Sequence, residues 1–260
     1  MDLAEARSRA FDAGPRHPWE RARLALASNL VARNTTLRKD DIVLDIGCGD
    51  TFVVEALARQ YPHVRFYAVD TAFTPELIAL FERRLTASNV SLASSLDDVP
   101  QEKAASLILL MDVLEHVDDA HGLLRDLRGR SHVAVDTQLL ITVPAYPSLF
   151  CSHDRFLGHY RRYSAGSLRS LMMEAGLKPD LSGHFFASLL PIRLAQVLVE
   201  RLWHAPEHAP TGLATWEGSE WLARALAAIL ELDGRLSLAL LRFGVPLPGL
   251  SCFALCRTSA

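Results

Sequence analysis

Short apolar runs alternate with segments of helical periodicity along most of the chain. The apolar runs predict strands at 41–46, 64–69, 89–93, 105–111, 138–143, 179–186 and 250–256. The patterns between them predict helices at 50–60, 74–86, 118–129 and 165–175. This alternation is typical of an α/β fold with a doubly wound, mostly parallel sheet. In such sheets, ligands bind at the carboxyl ends of the strands.

Further helical patterns occupy the two ends of the chain. Residues 1–33 are expected to form two helices, with breaks at Gly14-Pro15 and at Pro18. Two added helices at 187–205 and 218–243 precede the last predicted strand. Their apolar faces could pack on the rest of the domain, form a homodimer interface or touch a membrane, in that order of preference.

Composition narrows the class of protein. The 260 residues are 50% hydrophobic and 22% charged, which suits one large globular domain. A net charge of −3 gives no electrostatic case for nucleic acid. The four cysteines form no Cys-x-x-Cys pair, so we expect a reduced, cytoplasmic protein without zinc or a redox dithiol. No signal peptide is evident, and no apolar run reaches the ~18 residues of a transmembrane segment.

The segment 42–57 carries the strongest functional signal. Its apolar strand runs into Asp45, Gly47 and Gly49, and a helical pattern follows. Glycines at a strand-to-helix turn let the backbone approach a ligand closely, and the helix N-terminus offers free N–H groups. The dinucleotide fingerprint needs a third glycine where Phe52 stands, and Asp45 is foreign to it. The turn therefore predicts a nucleotide site and disfavours a nicotinamide dinucleotide.

Two further markers lie at predicted strand ends. Asp70 ends the second strand, where a carboxylate can accept both ribose hydroxyls. Residues 108–117 read Ile-Leu-Leu-Met-Asp-Val-Leu-Glu-His-Val. Together with Asp-Ile-Gly-Cys-Gly, these motifs have the order and spacing of the class I S-adenosylmethionine-dependent methyltransferases, which the chain resembles over roughly residues 15–190. Thr51 departs from the pattern, because the family often has a third glycine there.

The resemblance implies a Rossmann-like methyltransferase fold whose seven-stranded sheet is closed by an antiparallel strand. The whole chain, 1–260, would form one domain. Its expected parts are an N-terminal helical lid at 1–36, a cofactor-binding core at 37–186, a helical insertion at 187–247 and a closing strand at 248–257.

S-adenosylmethionine is the cofactor that the resemblance implies. Asp112 would lie at the methionine end, Ser95 and Leu96 near the adenine, and Trp19 would wall the pocket. Cys48 could simply fill space in the turn. The expected cofactor-binding residues are Trp19, Asp45, Gly47, Cys48, Gly49, Asp70, Thr71, Ser95, Leu96, Met111 and Asp112.

The segment 143–164 is long for a loop, and long loops in compact domains are usually functional. Its His-Asp pair and its Gly-His-x-Arg-Arg-Tyr stretch resemble a bacterial subgroup distantly related to the methyltransferases of quinone biosynthesis. Arg161 and Arg162 could hold an anionic group of the acceptor through paired N–H donors. The alternative is that Asp154 and the arginines tie the loop down internally.

Histidines supply the candidate bases. Either His153 or His159 could remove a proton from the acceptor, because the pKa of histidine suits neutral pH. His116 could do the same, but we favour a structural role for it in its loop. The candidate catalytic residues are His116, His153, His159, Arg161 and Arg162.

We expect methyl transfer to a heteroatom, with oxygen (a carboxylate oxygen included) as the favoured atom. The arginines favour a small or medium anionic acceptor, either a small molecule or a peptide. Methyl transfer does not require a metal, and no clustered ligand motif is visible, so none is expected. The alternatives are a nicotinamide dehydrogenase and a non-catalytic cofactor-binding sensor or partner subunit, for which Thr51 is the cue.

Overall fold

The computed structural model describes residues 16–203 and 218–258. Within these ranges a seven-stranded sheet has the order β3-β2-β1-β4-β5-β7-β6. Strands β1 to β5 are parallel, and β7 runs antiparallel to both of its neighbours. The strands are β1 (Ile42–Ile46), β2 (Arg65–Val69), β3 (Val90–Ala93), β4 (Leu107–Met111), β5 (Gln138–Pro144), β6 (Leu177–Phe185) and β7 (Ser251–Thr258). The sequence prediction of a doubly wound, mostly parallel sheet is confirmed.

Helices connect the strands as the periodicity indicates, with shifts at their ends. The helix expected to reach residue 86 ends at Glu82, and the strand expected from 179 begins at Leu177. The helices are α1 (Pro18–Asn34), α2 (Phe52–Gln60), α3 (Pro75–Glu82), α4 (Ala120–Arg128), α5 (Ser152–Phe156), α6 (Ala165–Glu174), α7 (Leu189–Trp203) and α8 (Glu220–Arg242). Pro18 is the first residue of α1, and the break expected at Gly14-Pro15 lies outside the described residues.

The sheet is buried on both faces, because its side chains alternate between two apolar clusters. Ile42 and Leu44 pack in one cluster, and Val43 between them packs in the other. All five residues of β4 are buried. A central parallel strand without a polar face is what two covering helical layers require.

Strand register brings three chain segments to one edge of the sheet. Asp45 of β1 pairs in register with Ala68 of β2 and with Leu109 of β4. The residues that follow these three strands therefore emerge side by side. The strand order reverses between β1 and β4, and such sheets bind ligands at this topological switch point.

The last strand does not form the edge of the sheet, because β7 inserts between β5 and β6. The long helix α8 packs on α1 and on β6. Gly234 makes the close approach to α1 possible, since a Cβ there would lie 2.4 Å from a methyl carbon of Leu26. Among the described helices, none combines the length and the apolar character that crossing a bilayer demands.

Candidate functional site

The turn after β1 is a tight backbone cradle. Gly47 and Gly49 both adopt positive φ, at +71° and +58°. A Cβ on Gly47 would lie 2.6 Å from Cγ2 of Val113, so this position accepts only glycine without movement of its neighbour. The turn is held in place by the Gly47 N–H, which donates to the Val69 carbonyl oxygen at 2.8 Å, and the absence of side chains on its glycines lets a ligand approach the backbone closely.

Thr51 also lies in the left-handed region, with φ of +65°. Glycine adopts this conformation without cost, whereas a β-branched side chain is an outlier there. The residue that departs from the family pattern therefore keeps the backbone shape that the pattern requires. Thr51 is buried and directly precedes α2.

Asp70 points back at the glycine turn from the end of β2. Its Oδ2 accepts a hydrogen bond from the Gly49 N–H at 3.0 Å, and its Oδ1 accepts one from the Ala72 N–H at 2.9 Å. Each carboxylate oxygen has lone pairs to spare, so the oriented group can also accept hydroxyl donors from a bound ribose. Thr71, beside it, is exposed.

Asp112 follows β4 and is held from two sides. It has a φ of +58°, and its Oδ1 accepts from the Thr142 hydroxyl at 3.0 Å. Its other oxygen forms an ion pair with Arg23 of α1. The Arg23 guanidinium also lies over the Trp19 ring, 4.7 Å from its centroid. Two residues of α1 thereby close over the switch point of the sheet.

Asp45 lies beneath the glycine turn and is almost fully buried. Burial raises the pKa of Asp45 to about 7, although the Arg23 guanidinium acts in the opposite direction. The Asp70 carboxylate adds to the rise in this pKa. A carboxyl group so placed stands near the balance of its charged and neutral forms at physiological pH.

The remaining predicted cofactor residues lie around this cradle in less distinctive settings. Burial raises the pKa of the Cys48 thiol, which keeps it unreactive. Met111 is buried at the end of β4. After β3, the Ser95 hydroxyl accepts from the Asp97 N–H at 3.1 Å and starts a single helical turn at Leu96.

Asp154 organises the long loop after β5. Its carboxylate accepts hydrogen bonds from His159 Nδ1 at 3.1 Å, from Arg162 Nε at 2.8 Å and from the Cys151 N–H at 2.9 Å. Burial alone would raise the pKa of Asp154, but the His159 hydrogen bond and the Arg162 guanidinium outweigh it and hold this pKa well below its usual range. The loop is therefore fixed around a buried ion pair.

Arg161 and Arg162, which are adjacent in the loop, have different surroundings. Arg162 is buried, and its second contact is the Ala145 carbonyl oxygen at 3.1 Å. Arg161 lies at the surface and donates to the carbonyl and the carboxylate of Asp118, at 2.7 and 2.9 Å. The structure thus does not bring Arg161 and Arg162 together as a fork for one anion.

The histidines differ as well. His153 is buried, and burial together with the Arg193 guanidinium lowers its pKa to about 4. His159 instead lies edge-on to His116, with ring centroids 4.6 Å apart. A carboxylate can only accept, so His159 donates through Nδ1 to Asp154 and keeps Nε2 for another partner.

Glu115 joins these two histidines, although neither periodicity nor motif spacing had singled it out as a site residue. It is 1% exposed, and ligand atoms of Glu115, His116 and His159 all lie within 4.8 Å of one another. Burial and the neighbouring Asp112 carboxylate raise the pKa of Glu115 well above its usual value. The Tyr160 N–H donates to the Glu115 carbonyl at 2.8 Å and so ties the distant loop to this corner.

The glycine turn, Asp70 and Asp112 at neighbouring ends of a 3-2-1-4-5-7-6 sheet define the arrangement of a class I methyltransferase. Residues 19–181, more than half of the chain, match a family model described as a methyltransferase domain. The chain belongs to this family. Its domain is an S-adenosylmethionine-dependent methyltransferase domain, and S-adenosylmethionine is the cofactor.

A curated relative matches part of the chain. It is a ubiquinone biosynthesis O-methyltransferase of Xylella fastidiosa (strain 9a5c), 39% identical over 82 residues. This match covers 30% of the chain and 32% of the relative, so the chain spans about a third of that protein in the match.

Solved structures share the fold at low identity. Coclaurine N-methyltransferase, bound to N-methylheliamine and SAH, superposes with a TM-score of 0.54 at 15% identity, over 90% of this chain and 70% of that one. The cyclase SpnF superposes with a TM-score of 0.53 at 17% identity, over 91% of this chain and 82% of that one. A candidate sarcosine dimethylglycine methyltransferase from Galdieria sulphuraria superposes with a TM-score of 0.54 at 18% identity, over 90% of this chain and 84% of that one. At these identities, the similarity concerns the fold alone.

Proposed function

We propose that the protein transfers the methyl group of S-adenosylmethionine to an oxygen atom of a small or medium acceptor that carries an anionic group. The observation that carries the cofactor half of this proposal is the Arg23–Asp112 ion pair, which follows β4, the neighbour in the sheet of the strand that leads into the glycine turn. The methionine part of the cofactor has an ammonium and a carboxylate. Asp112 would bind the first and Arg23 the second, so the ligand replaces the pair with two new ion pairs.

Asp70 supports the other end of the cofactor. Its carboxylate is already aimed by the Gly49 and Ala72 N–H groups, so ribose binding requires no reorientation. Preorganisation of this kind removes an ordering cost that would otherwise weaken binding. Trp19 and Arg23 of α1 would cover the bound methionine, which gives the first described helix the role of a lid.

The reaction is a direct displacement at the sulfonium methyl group. The acceptor oxygen forms a bond to carbon, the bond from carbon to sulfur breaks, and the sulfur leaves as a neutral thioether. Since the cofactor is already activated, the protein mainly aligns the reactants and helps to remove the acceptor proton. Alignment of this kind can contribute about 7–11 kcal/mol of barrier lowering.

The acceptor half of the proposal rests on the loop after β5. His159 is oriented by Asp154 and lies edge-on to His116, which favours it for contact with the acceptor over His153, whose pKa is lowered to about 4 by burial and the Arg193 guanidinium. Arg161 is a surface cation of the loop, next to Arg162, and is the residue we assign to the anionic group of the acceptor. Arg162 holds the loop in shape through Asp154.

Calorimetric titration with S-adenosylmethionine, S-adenosylhomocysteine and NADH tests the cofactor site, on the wild type and on Asp70→Ala. We expect micromolar binding of the two sulfur nucleotides, its loss in the variant and no binding of NADH. Transfer of a labelled methyl group to panels of phenols, carboxylic acids and amines then tests the acceptor. Methylation of amines alone would refute the choice of oxygen. Tight cofactor binding without turnover on any panel would favour a sensor or a partner subunit.

We also propose that the protein forms a homodimer through α8 of the helical insertion. The exposed face of α8 presents apolar residues at alternating spacings of four and three, which is the spacing of a coiled-coil seam. They are Ala225, Ile229, Leu232, Leu236 and Ala239, followed by Phe243 directly after the helix. Light scattering on the wild type and on Leu232→Arg should show a dimer that the substitution dissociates, and a monomeric wild type would refute it. The free state of all four cysteines accords with the proposed cytoplasmic location.

A further inference from the structure

We propose that Glu115, His116 and His159 bind a divalent transition-metal ion, with zinc as the expected species. The three residues come from two segments, the turn after β4 and the loop after β5. This separation explains why motif spacing predicts no metal ligands here, since only the fold brings His159 to the other two.

Geometry is the first argument. One ligand atom of each residue lies within 4.8 Å of the other two. Zinc bonds to histidine nitrogen and carboxylate oxygen are about 2.0–2.2 Å long. A single ion placed between the three groups would therefore lie close to all of them.

The second argument is an unsatisfied buried oxygen. Glu115 is 1% exposed, and its Oε2 has no hydrogen-bond partner among the described residues. A buried carboxyl oxygen without a partner is costly, and buried polar groups are normally hydrogen-bonded or bound to a metal. A cation at this corner would provide the partner that the protein around Glu115 does not.

The third argument concerns the orientation of His159. Histidines that bind metals almost always donate their other ring N–H to a carboxylate or a carbonyl, which fixes the tautomer and raises the basicity of the ligating nitrogen. His159 donates through Nδ1 to Asp154, which Arg162 holds in place in turn. The Nε2 lone pair is thereby prepared for a metal.

The ligand set indicates the kind of ion. Two imidazoles and one carboxylate suit zinc and its first-row neighbours, whereas magnesium and calcium prefer sets made of oxygen alone. Three protein ligands also leave an open position, as in catalytic zinc sites. We assign the open position to the acceptor side of the site, because the turn that holds Glu115 and His116 follows Asp112 and meets the loop after β5.

The role of the ion rests on the proposed function, whereas its binding does not. An acceptor hydroxyl bound at the open position would lose its proton to solvent more readily, because the cation stabilises the resulting oxyanion. That oxygen would then displace the thioether from the methyl group as described above. His159 would thus assist deprotonation through the ion and would not take the proton itself.

Titration of metal-stripped protein with Zn²⁺, followed by calorimetry, tests the site without any turnover. Co²⁺ serves as a second probe through its visible absorption, and Mg²⁺ as a hard cation for comparison. We expect one Zn²⁺ per chain, with affinity at least about tenfold weaker in Glu115→Gln and in His159→Ala. His121→Ala removes a histidine of α4 outside the cluster and should bind like the wild type.

Thermal melting without metal establishes that each variant is folded, and His116→Ala replaces any variant that is not. Equal affinity in the wild type and all cluster variants would overturn the proposal, as would binding of Mg²⁺ in preference to Zn²⁺. Titration with S-adenosylhomocysteine separates the two proposals. If the protein binds the nucleotide and transfers the methyl group but binds no metal, the metal proposal alone is refuted and His159 remains as the direct base.

Discussion

Arg23 in the first described helix and Asp112 after the fourth strand form an ion pair at the mouth of the proposed cofactor site, although 89 residues separate them. Arg23 is buried and also lies against the Trp19 ring. The pair joins the helix that covers the site to the strand end that forms its floor. Any ligand that enters between them must offer each a partner, and an amino acid zwitterion does so.

Replacement of Arg23 tests this exchange of partners. Arg23→Ala should weaken S-adenosylhomocysteine binding about tenfold to a hundredfold, because it removes a charge-assisted contact of about 1.5–3 kcal/mol with the methionine carboxylate. Arg33→Ala changes an exposed arginine of the same helix and should bind like the wild type. Calorimetry measures both, and equal affinities for the two variants would count against the assignment of Arg23 to the methionine carboxylate.

Loss of the charge of Asp70, without a change in side-chain size, should be enough to weaken nucleotide binding. Asp70→Asn keeps one acceptor oxygen but removes the carboxylate, so the two ribose hydroxyls lose one of their acceptors and nucleotide affinity should fall about tenfold or more. The exposed Asp126→Asn in α4 is the matched control. Adenosine and S-adenosylhomocysteine should lose similar factors in affinity, since both carry the ribose. A loss confined to the longer ligand would place the contact elsewhere.

Local sequence was sufficient to predict the strand ends that hold Gly47, Asp70 and Asp112, because at each of them an apolar run is followed within a few residues by glycine or aspartate. The same pattern could not predict the Glu115–His159 contact. That contact depends on the path of the loop after β5, which returns to the sheet through hydrogen bonds of the Tyr163 backbone with Pro144 and Tyr146, and through the Tyr163 hydroxyl bond to the Leu114 carbonyl at 3.0 Å. Such contacts have no periodicity.

Long-range charge pairs were also beyond sequence reasoning. Whether a loop arginine meets a ligand or a buried carboxylate depends on burial, and Arg161 and Arg162 are chemically identical neighbours with opposite surroundings. Helix ends shifted as well. The helix expected to reach residue 86 ends at Glu82, where the Arg84 N–H donates to the Phe81 carbonyl oxygen at 2.9 Å in a tighter turn.

Gly47 offers a test of backbone shape. Gly47→Ala should lower both stability and nucleotide affinity, because alanine at a φ of +71° costs about 1–2 kcal/mol and its Cβ would meet Val113 at 2.6 Å. The double variant Gly47→Ala with Val113→Ala removes the clash but not the strain, so it should recover part of the affinity relative to Val113→Ala alone. Chemical denaturation and calorimetry measure the two effects. Full recovery would show that the conformation of the turn is unimportant.

Replacement of Arg162 and replacement of Arg161 should have different effects on the free energy of unfolding. Arg162→Ala should lower the free energy of unfolding by about 3–5 kcal/mol, because it leaves the buried Asp154 carboxylate without its guanidinium. Arg161→Ala should cost about 0–1 kcal/mol, as expected for an exposed pair. Arg161→Ala should also keep nucleotide affinity while weakening use of an anionic acceptor. Urea denaturation measures the first contrast, and equal losses in both variants would contradict it.

Asp45 gives the domain a dependence on pH of opposite sign to that of an ordinary salt-bridged acid. Burial raises its pKa to about 7 in the folded state from an unfolded value near 3.8, so the folded protein holds a proton that the unfolded chain releases. The stabilisation is fully present below about pH 4 and is lost as the pH rises through 7. Asp45→Asn mimics the protonated form at every pH. Urea denaturation should therefore show the variant gaining on the wild type between pH 5 and 8, and a constant difference across that range would place the pKa of Asp45 at its ordinary value.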